Sequence, residues 1–139
     1  MLKAIKAMKA ELPKVVANES KNFFLSSFKN QGFTNTGPVP WQEVKRRLPG
    51  APVNKKDPGA KTRAILQGKG SGQLRRAVTN SIQSATFDLI TLRVKVPYAD
   101  YLNDGTSKMP QRQFIGNSQV LEDQHRKTIT DHFNKAFKV

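Results

Sequence analysis

The sequence predicts an α+β fold in which a small antiparallel sheet packs against a long N-terminal helix and a C-terminal helix. Three patterns carry this reading. Apolar side chains recur at helical spacing over residues 12 to 31, alternate at strand spacing over 90 to 96, and return to helical spacing after residue 118. A helix, a run of short strands and a closing helix bury their apolar sides most simply as two layers around one core.

The elements are taken in chain order. Residues 1–11 read as a basic arm, with Leu2, Ile5 and Met8 interleaved by Lys3, Lys6 and Lys9. Pro13 is expected to separate this arm from the next element, because a proline inside a helix removes one hydrogen bond and crowds the preceding turn. Leu12, Val16, Phe24 and Phe28, flanked by Val15 and Phe23, then predict a helix over 12–31. At about 1.5 Å per residue it is a rod of roughly 28 Å. Gly32 ends it. Residues 38–72 lose all periodicity and hold Pro38, Pro40, Pro49, Pro52 and Pro58, so they read as a long loop with one helical turn at Trp41–Arg47. Loops of this length are usually functional or disordered.

Residues 73–116 read as a β-meander. "QLRRAV" is a helical turn leading into a strand through "VTNSIQS". The second strand is "TFDLITLRVKV", where Ile90, Leu92, Val94 and Val96 alternate with Thr91, Arg93 and Lys95. "PYADYLNDGTSKMP" is a tight turn or single helical turn, and "RQFIG" is the third strand. Residues 117–139 form the last helix, with Leu121, Ile129, Phe133, Ala136 and Phe137 on its apolar face. Asn117 or Ser118 is its N-cap, and Glu122 and Asp123 sit at the positive end of its dipole.

At 139 residues the chain is one domain, without cysteines and hence without disulfides or thiolate metal sites. No signal-peptide core and no run long enough to span a membrane is present, which predicts a soluble intracellular product. Charge is the strongest bulk signal: 24 Lys and Arg oppose 10 Asp and Glu, a net +14. Residues 41–76 alone hold ten basic side chains against Glu43 and Asp57. Such an excess points first to nucleic acid and second to an acidic protein surface, the plain alternative being a solvated basic exterior. The candidate contacts are Lys45, Arg46, Arg47, Lys55, Lys56, Lys61 and Arg63.

Catalytic patterns are absent from the sequence. His125 and His132 lie seven apart, not at the i, i+4 spacing of a helical metal pair, and no carboxylate cluster completes a site. "DPGAKTR" lacks the glycine before its lysine that a phosphate loop needs. Asp88, Asp100 and Asp104 fall in turns or on a strand surface. No catalytic residue, metal or cofactor is expected, and the chain is not read as an enzyme. Trp41 could stack on a base, but it reads better as an anchor pinning the long loop to the core.

One further order of marks is specific in combination. "NFFLSSFKNQGF", a lone Trp41, "TRAILQGKGSGQLRRAV", "YADYLNDG" and "MPQRQFIG" succeed one another before the last helix. From about Leu12 onward this resembles the bacteriophage virion morphogenesis family, the tail-completion and head–tail joining proteins of tailed phages. Its sharpest pieces are Gly72-x-Leu74, Tyr98-Ala99 followed by Gly105, and Pro110-x-Arg112-x-Phe114. The resemblance implies a structural virion protein, a hexameric homo-oligomeric ring that ends tail-tube growth at the neck. Its partners would be the tail tube protein and the head–tail connector or neck proteins, in the virion tail and, during assembly, in host cytoplasm. Tail-like particles derived from prophages use similar parts.

The basic loop and N-terminal arm depart from the family pattern, so a contact with genomic DNA in the lumen is read from charge alone. The alternative is a standalone nucleic-acid-binding module using residues 41–76; a small phage nuclease is a third reading, disfavoured by the missing ligands. For a ring, the expected subunit interface is Tyr98, Asp100, Asp104, Arg112 and Phe114. Phe114 would anchor its strand while Arg112 paired with Asp100 or Asp104 across the seam, or with the same turn within one subunit.

Overall fold

A computed structural model describes residues 1–67 and 72–137. The first element, α1 (Leu2–Asn30), is a single helix that runs straight through Pro13. The expected arm is therefore its first turns. Proline costs the helix a hydrogen bond, but the apolar stripe continues across it at i, i+4 from Met8 to Leu12 to Val16, and all three are buried. Pro13 is itself buried, so packing offsets the lost bond.

The helix ends at Gln31, which adopts the left-handed conformation at φ 52°. Its side chain ties two segments together: Nε2 donates to the Phe28 carbonyl at 2.6 Å, and Oε1 accepts from the Ile65 amide at 2.7 Å. A hairpin comes next, β1 (Gly32–Thr34) against β2 (Pro38–Pro40), with Gly32 opposite Pro40. The β2 backbone passes so close that a Cβ on Gly32 would lie 2.4 Å from the Val39 carbonyl oxygen. Two prolines in β2 suit an edge strand, where ladder donors are not needed.

The stretch read as a long loop continues through two short 3₁₀ turns, Lys45–Arg47, within the expected turn at Trp41–Arg47, and Pro58–Lys61. Then come α2 (Gln73–Thr79), β3 (Ile82–Ala85) and β4 (Ile90–Leu92), the strands pairing antiparallel with a register shift between Ile82 and Ser84. The helix α3 (Ala99–Asp104) lies in the "YADYLNDG" turn, and α4 (Gln119–Phe137) packs against α1. Ser118 caps α4: its Oγ accepts from the Leu121 amide at 3.2 Å and donates to the Thr34 carbonyl at 2.7 Å.

The α+β class holds, with the long first helix on the last. The sheet differs from a three-stranded meander, since it is split into two separate hairpins. "RQFIG" is not a ladder strand. Its main chain is satisfied by side chains instead: Asn103 Oδ1 accepts from the Phe114 and Ile115 amides at 3.0 and 3.1 Å, and Ser27 Oγ donates to the Phe114 carbonyl at 3.2 Å. The "VTNSIQS" strand is also shorter than expected, because α2 continues to Thr79 and Val78 is wholly buried as a helical residue.

The apolar interior is in two pieces. The larger gathers Phe24, Phe33, Trp41, Ile65, Val78 and Phe114; the smaller joins Met8, Leu12 and Val16 to Ala136. Between them, where α1 meets α4, lies a polar band of Glu19, Ser20, His125 and Thr128.

Candidate functional site

The "MPQRQFIG" segment is the hub of the larger core. Phe114 has no exposed surface, and its ring lies 5.7 Å from that of Phe28. Trp41 packs edge-to-face on Phe28 at 5.9 Å, and its Nε1 donates to the Gln113 carbonyl at 2.7 Å. Trp41 is the loop anchor that the sequence suggests. It is buried and has no face free for a base.

Arg112 is 7% exposed. Its Nε donates to the Gln42 carbonyl at 2.9 Å and its Nη2 to the Glu43 carbonyl at 3.2 Å. This corrects the seam expectation. The guanidinium is taken up within the same chain by the residues just after Trp41 and meets neither Asp100 nor Asp104. Its hydrogen bond to the α3 turn is made by the main chain, the Arg112 amide donating to the Leu102 carbonyl at 2.9 Å. Phe114 is likewise wholly buried in the core. Of the expected interface residues, Tyr98, Asp100 and Asp104 remain on the surface, with the Tyr98 hydroxyl donating to Gln73 Oε1 at 3.2 Å.

A second arginine organises the basic loop. Arg46 Nε donates to the Ala60 carbonyl at 2.7 Å, and Nη2 to the Arg63 and Ala64 carbonyls at 2.9 and 2.8 Å. Burial lowers its pKa, and nearby Arg63, Arg47 and Arg112 lower it further, opposed by Glu43. Arg63 pairs with Asp57, a hydrogen bond that raises the Arg63 pKa. The candidate set therefore divides. Arg46 and Arg63 hold the loop in shape, Arg47 lies 3.6 Å from Glu43 as an i, i+4 pair, and Lys45, Lys55, Lys56 and Lys61 are exposed. No sequence signal separates an arginine that wraps carbonyls from one that awaits a phosphate, so the two kinds look alike before folding.

The loop's far end opens on a basic cleft of about 590 Å³. Lys29, Gln31, Gln67, Arg75 and Arg76 line it, and Lys29 is not among the expected contacts. Lys69 of the basic stretch lies outside the described residues.

The two histidines have separate surroundings. His132 Nδ1 donates to the Thr128 carbonyl at 2.8 Å. His125 Nε2 is 3.1 Å from Ser20 Oγ and 3.9 Å from Glu19 Oε2. The Ser20 proton already goes to the Val16 carbonyl at 3.1 Å, so the imidazole Nε2–H is the donor to Ser20. Serine and carboxylate meet the same ring nitrogen, which is not the relay of a nucleophilic triad, where the acid holds the opposite nitrogen. Among the described residues, no three of His, Cys, Asp and Glu converge as metal ligands, and no helix is long and apolar enough to cross a membrane.

No family model, curated protein or solved structure matches this chain. What it does must be read from its own residues.

Proposed function

We propose that the chain is a structural virion protein of a tailed bacteriophage, a tail-completion ring subunit at the neck between tail tube and head. The observation that carries this reading is where the resemblance-bearing residues fall. Phe114, Arg112 and Leu74 are buried, Gly72 and Gly105 take positive φ of 67° and 77°, and a Cβ on Gly105 would sit 2.8 Å from the Gln111 amide nitrogen. Most of the residues that carry the resemblance, Tyr98 excepted, are thus positions on which this fold depends.

A ring also gives a use to the apolar side chains left outside: Phe87, Leu89, Tyr101, Ile129 and Phe137 are all exposed. In this reading the chain turns over no nucleic acid, peptide or nucleoside triphosphate. Its partners are further copies of itself, the tail tube protein and the neck proteins, and its place is the virion. The exposed lysines of the 45–61 loop face DNA in the lumen or an acidic neighbouring ring.

The test is size-exclusion chromatography with mass measurement, followed by negative-stain electron microscopy. Closed rings, expected as hexamers, or caps on tail tubes support the reading. A monomer that binds duplex DNA tightly overturns it and favours the second reading, a nucleic-acid-binding module. The observation behind that second reading is the exposure of Lys45, Lys55, Lys56 and Lys61 on one loop.

A further inference from the structure

Beyond β4, which ends at Leu92, the chain leaves the ladder. Arg93 donates to the Ser81 carbonyl at 2.7 Å, and there the pairing stops. No described residue accepts from the Val94, Lys95 or Val96 amides, and none donates to the Arg93, Val94 or Lys95 carbonyls. The alternation of side chains nevertheless continues. Val94 and Val96 turn onto the larger core, while Arg93 and Lys95 are exposed. Beside this stretch lies a cleft of about 680 Å³, lined by all of residues 92–97 together with Asp100, Asn103 and Ile115. The Ile115 amide is already taken by Asn103, so the 93–96 wall is the longest run of unpaired main-chain groups along the cleft.

We propose that Arg93–Val96 is a docking edge for an extended, acidic segment of another protein. That segment would pair its main chain with this stretch and set carboxylates against Arg93 and Lys95. A wall of six residues is roughly 20 Å long, enough for a strand of five or six. Charge selects the occupant. A second copy laid antiparallel on this edge would bring Arg93 and Lys95 against the same cations, and like charges directly opposite are destabilising. Charged side chains are how exposed edges avoid self-pairing. The described strands of this chain, Gly32–Thr34, Pro38–Pro40, Ile82–Ala85 and Ile90–Leu92, contain no acidic residue to offer in return. The partner is therefore a different, acidic protein. This inference stands whether or not the chain is a virion component.

The probe is a synthetic Glu-Val-Glu-Val-Glu-Val peptide, run beside its N-methylated analogue and a Lys-Val counterpart. The readout is residue-resolved amide hydrogen exchange of the full chain. In dilute protein the 94–96 amides should exchange freely, and the acidic peptide should slow them roughly tenfold or more. The N-methylated analogue and the Lys-Val peptide should not. The double variant R93E/K95E, altering two exposed side chains, should keep its melting temperature, lose the response to the acidic peptide and gain one to the Lys-Val peptide. The proposal fails if the 94–96 amides are already protected in dilute protein, or if the acidic peptide leaves them unprotected at millimolar concentration. It fails equally if the Lys-Val peptide works as well on the native chain. Protection that rises with protein concentration alone would assign the edge to a second copy and overturn the proposal.

Discussion

Arg112 holds the main chain of Gln42: its Nε lies 2.9 Å from that carbonyl oxygen, and the guanidinium reaches on to Glu43. An arginine beside the core phenylalanine is thus a bracket between two distant stretches of one chain. Arg112→Ala should cost the isolated chain about 3 kcal/mol, since hydrogen bonds from a charged donor contribute about 1.5–3 kcal/mol each and the Gln42 and Glu43 carbonyls would lose theirs. Arg112→Lys should fall in between, because an ammonium cannot span both oxygens as the planar fork does. Urea denaturation of the monomer checks this, and an unchanged midpoint for Arg112→Ala would put the arginine back in solvent.

Phe114→Ala should be the more damaging of the two, at about 3–5 kcal/mol, the usual loss on deleting a buried aromatic. Phe28 loses the ring it packs against, and Trp41, which packs edge-to-face on Phe28, is disturbed through it. Because a domain has about 5–15 kcal/mol in all, partial unfolding at room temperature is expected. Near-ultraviolet circular dichroism of Trp41 reports it directly, and a native-like spectrum would refute the central role given to the ring.

The basic loop should answer differently to its arginines and its lysines. Arg46→Gln removes the donors that close residues 46–64, and should expose the Ile65 amide to exchange while leaving α1 and α4 protected. Changing Lys45, Lys55, Lys56 and Lys61 to Gln should leave the Ile65 amide protected. If duplex DNA binds, those four substitutions should flatten the salt dependence of affinity by up to about 0.9 for each phosphate that is no longer neutralised. An unchanged slope would remove the lysines from any part in DNA binding.

Burial lowers the His125 pKa below its ordinary 6.5, with Glu19 and Glu122 pulling the other way. The unfolded chain therefore takes up this proton at a higher pH than the folded one. The contribution to stability is complete above about pH 6.5 and shrinks as pH falls from there toward the folded value. Melting temperatures recorded from pH 7.5 down to 5.5 should decline for the native chain, and His125→Gln should decline less. Parallel curves would mean that other groups carry the acid sensitivity.

How much of this is legible in the residues depends on the kind of signal. Helical stripes are local, so Leu12 to Phe28 and Leu121 to Ala136 announce both long helices. The alternation at 90–96 announces a half-buried strand, of which only Ile90–Leu92 is paired. Pro13 misleads because its effect on a bare helix is local, whereas its burial against the rest of the fold is not. "RQFIG" misleads for the opposite reason: its strand-like spacing is real, but Asn103, Ser27 and Trp41 take the bonds a neighbouring strand would have made. The roles of Arg46 and Arg112 lie in carbonyls 14 to 70 residues away, and a carbonyl leaves no mark in a sequence.

The separation along the chain of the partners in this core bears on how the molecule comes into being. Ser27 reaches Phe114 across 87 positions, and Trp41 reaches Gln113 across 72. Among these elements α1 leaves the ribosome first and α4 last, yet each covers the other's apolar side. During synthesis the Met8, Leu12 and Val16 stripe is covered in part by Ile90, and its cover is completed only when residue 136 has emerged. Pairings of such long range also slow the search for the native arrangement. The nascent chain therefore passes through an interval in which its first helix is a sticky amphipathic rod, open to chaperones, proteases and neighbouring nascent copies alike.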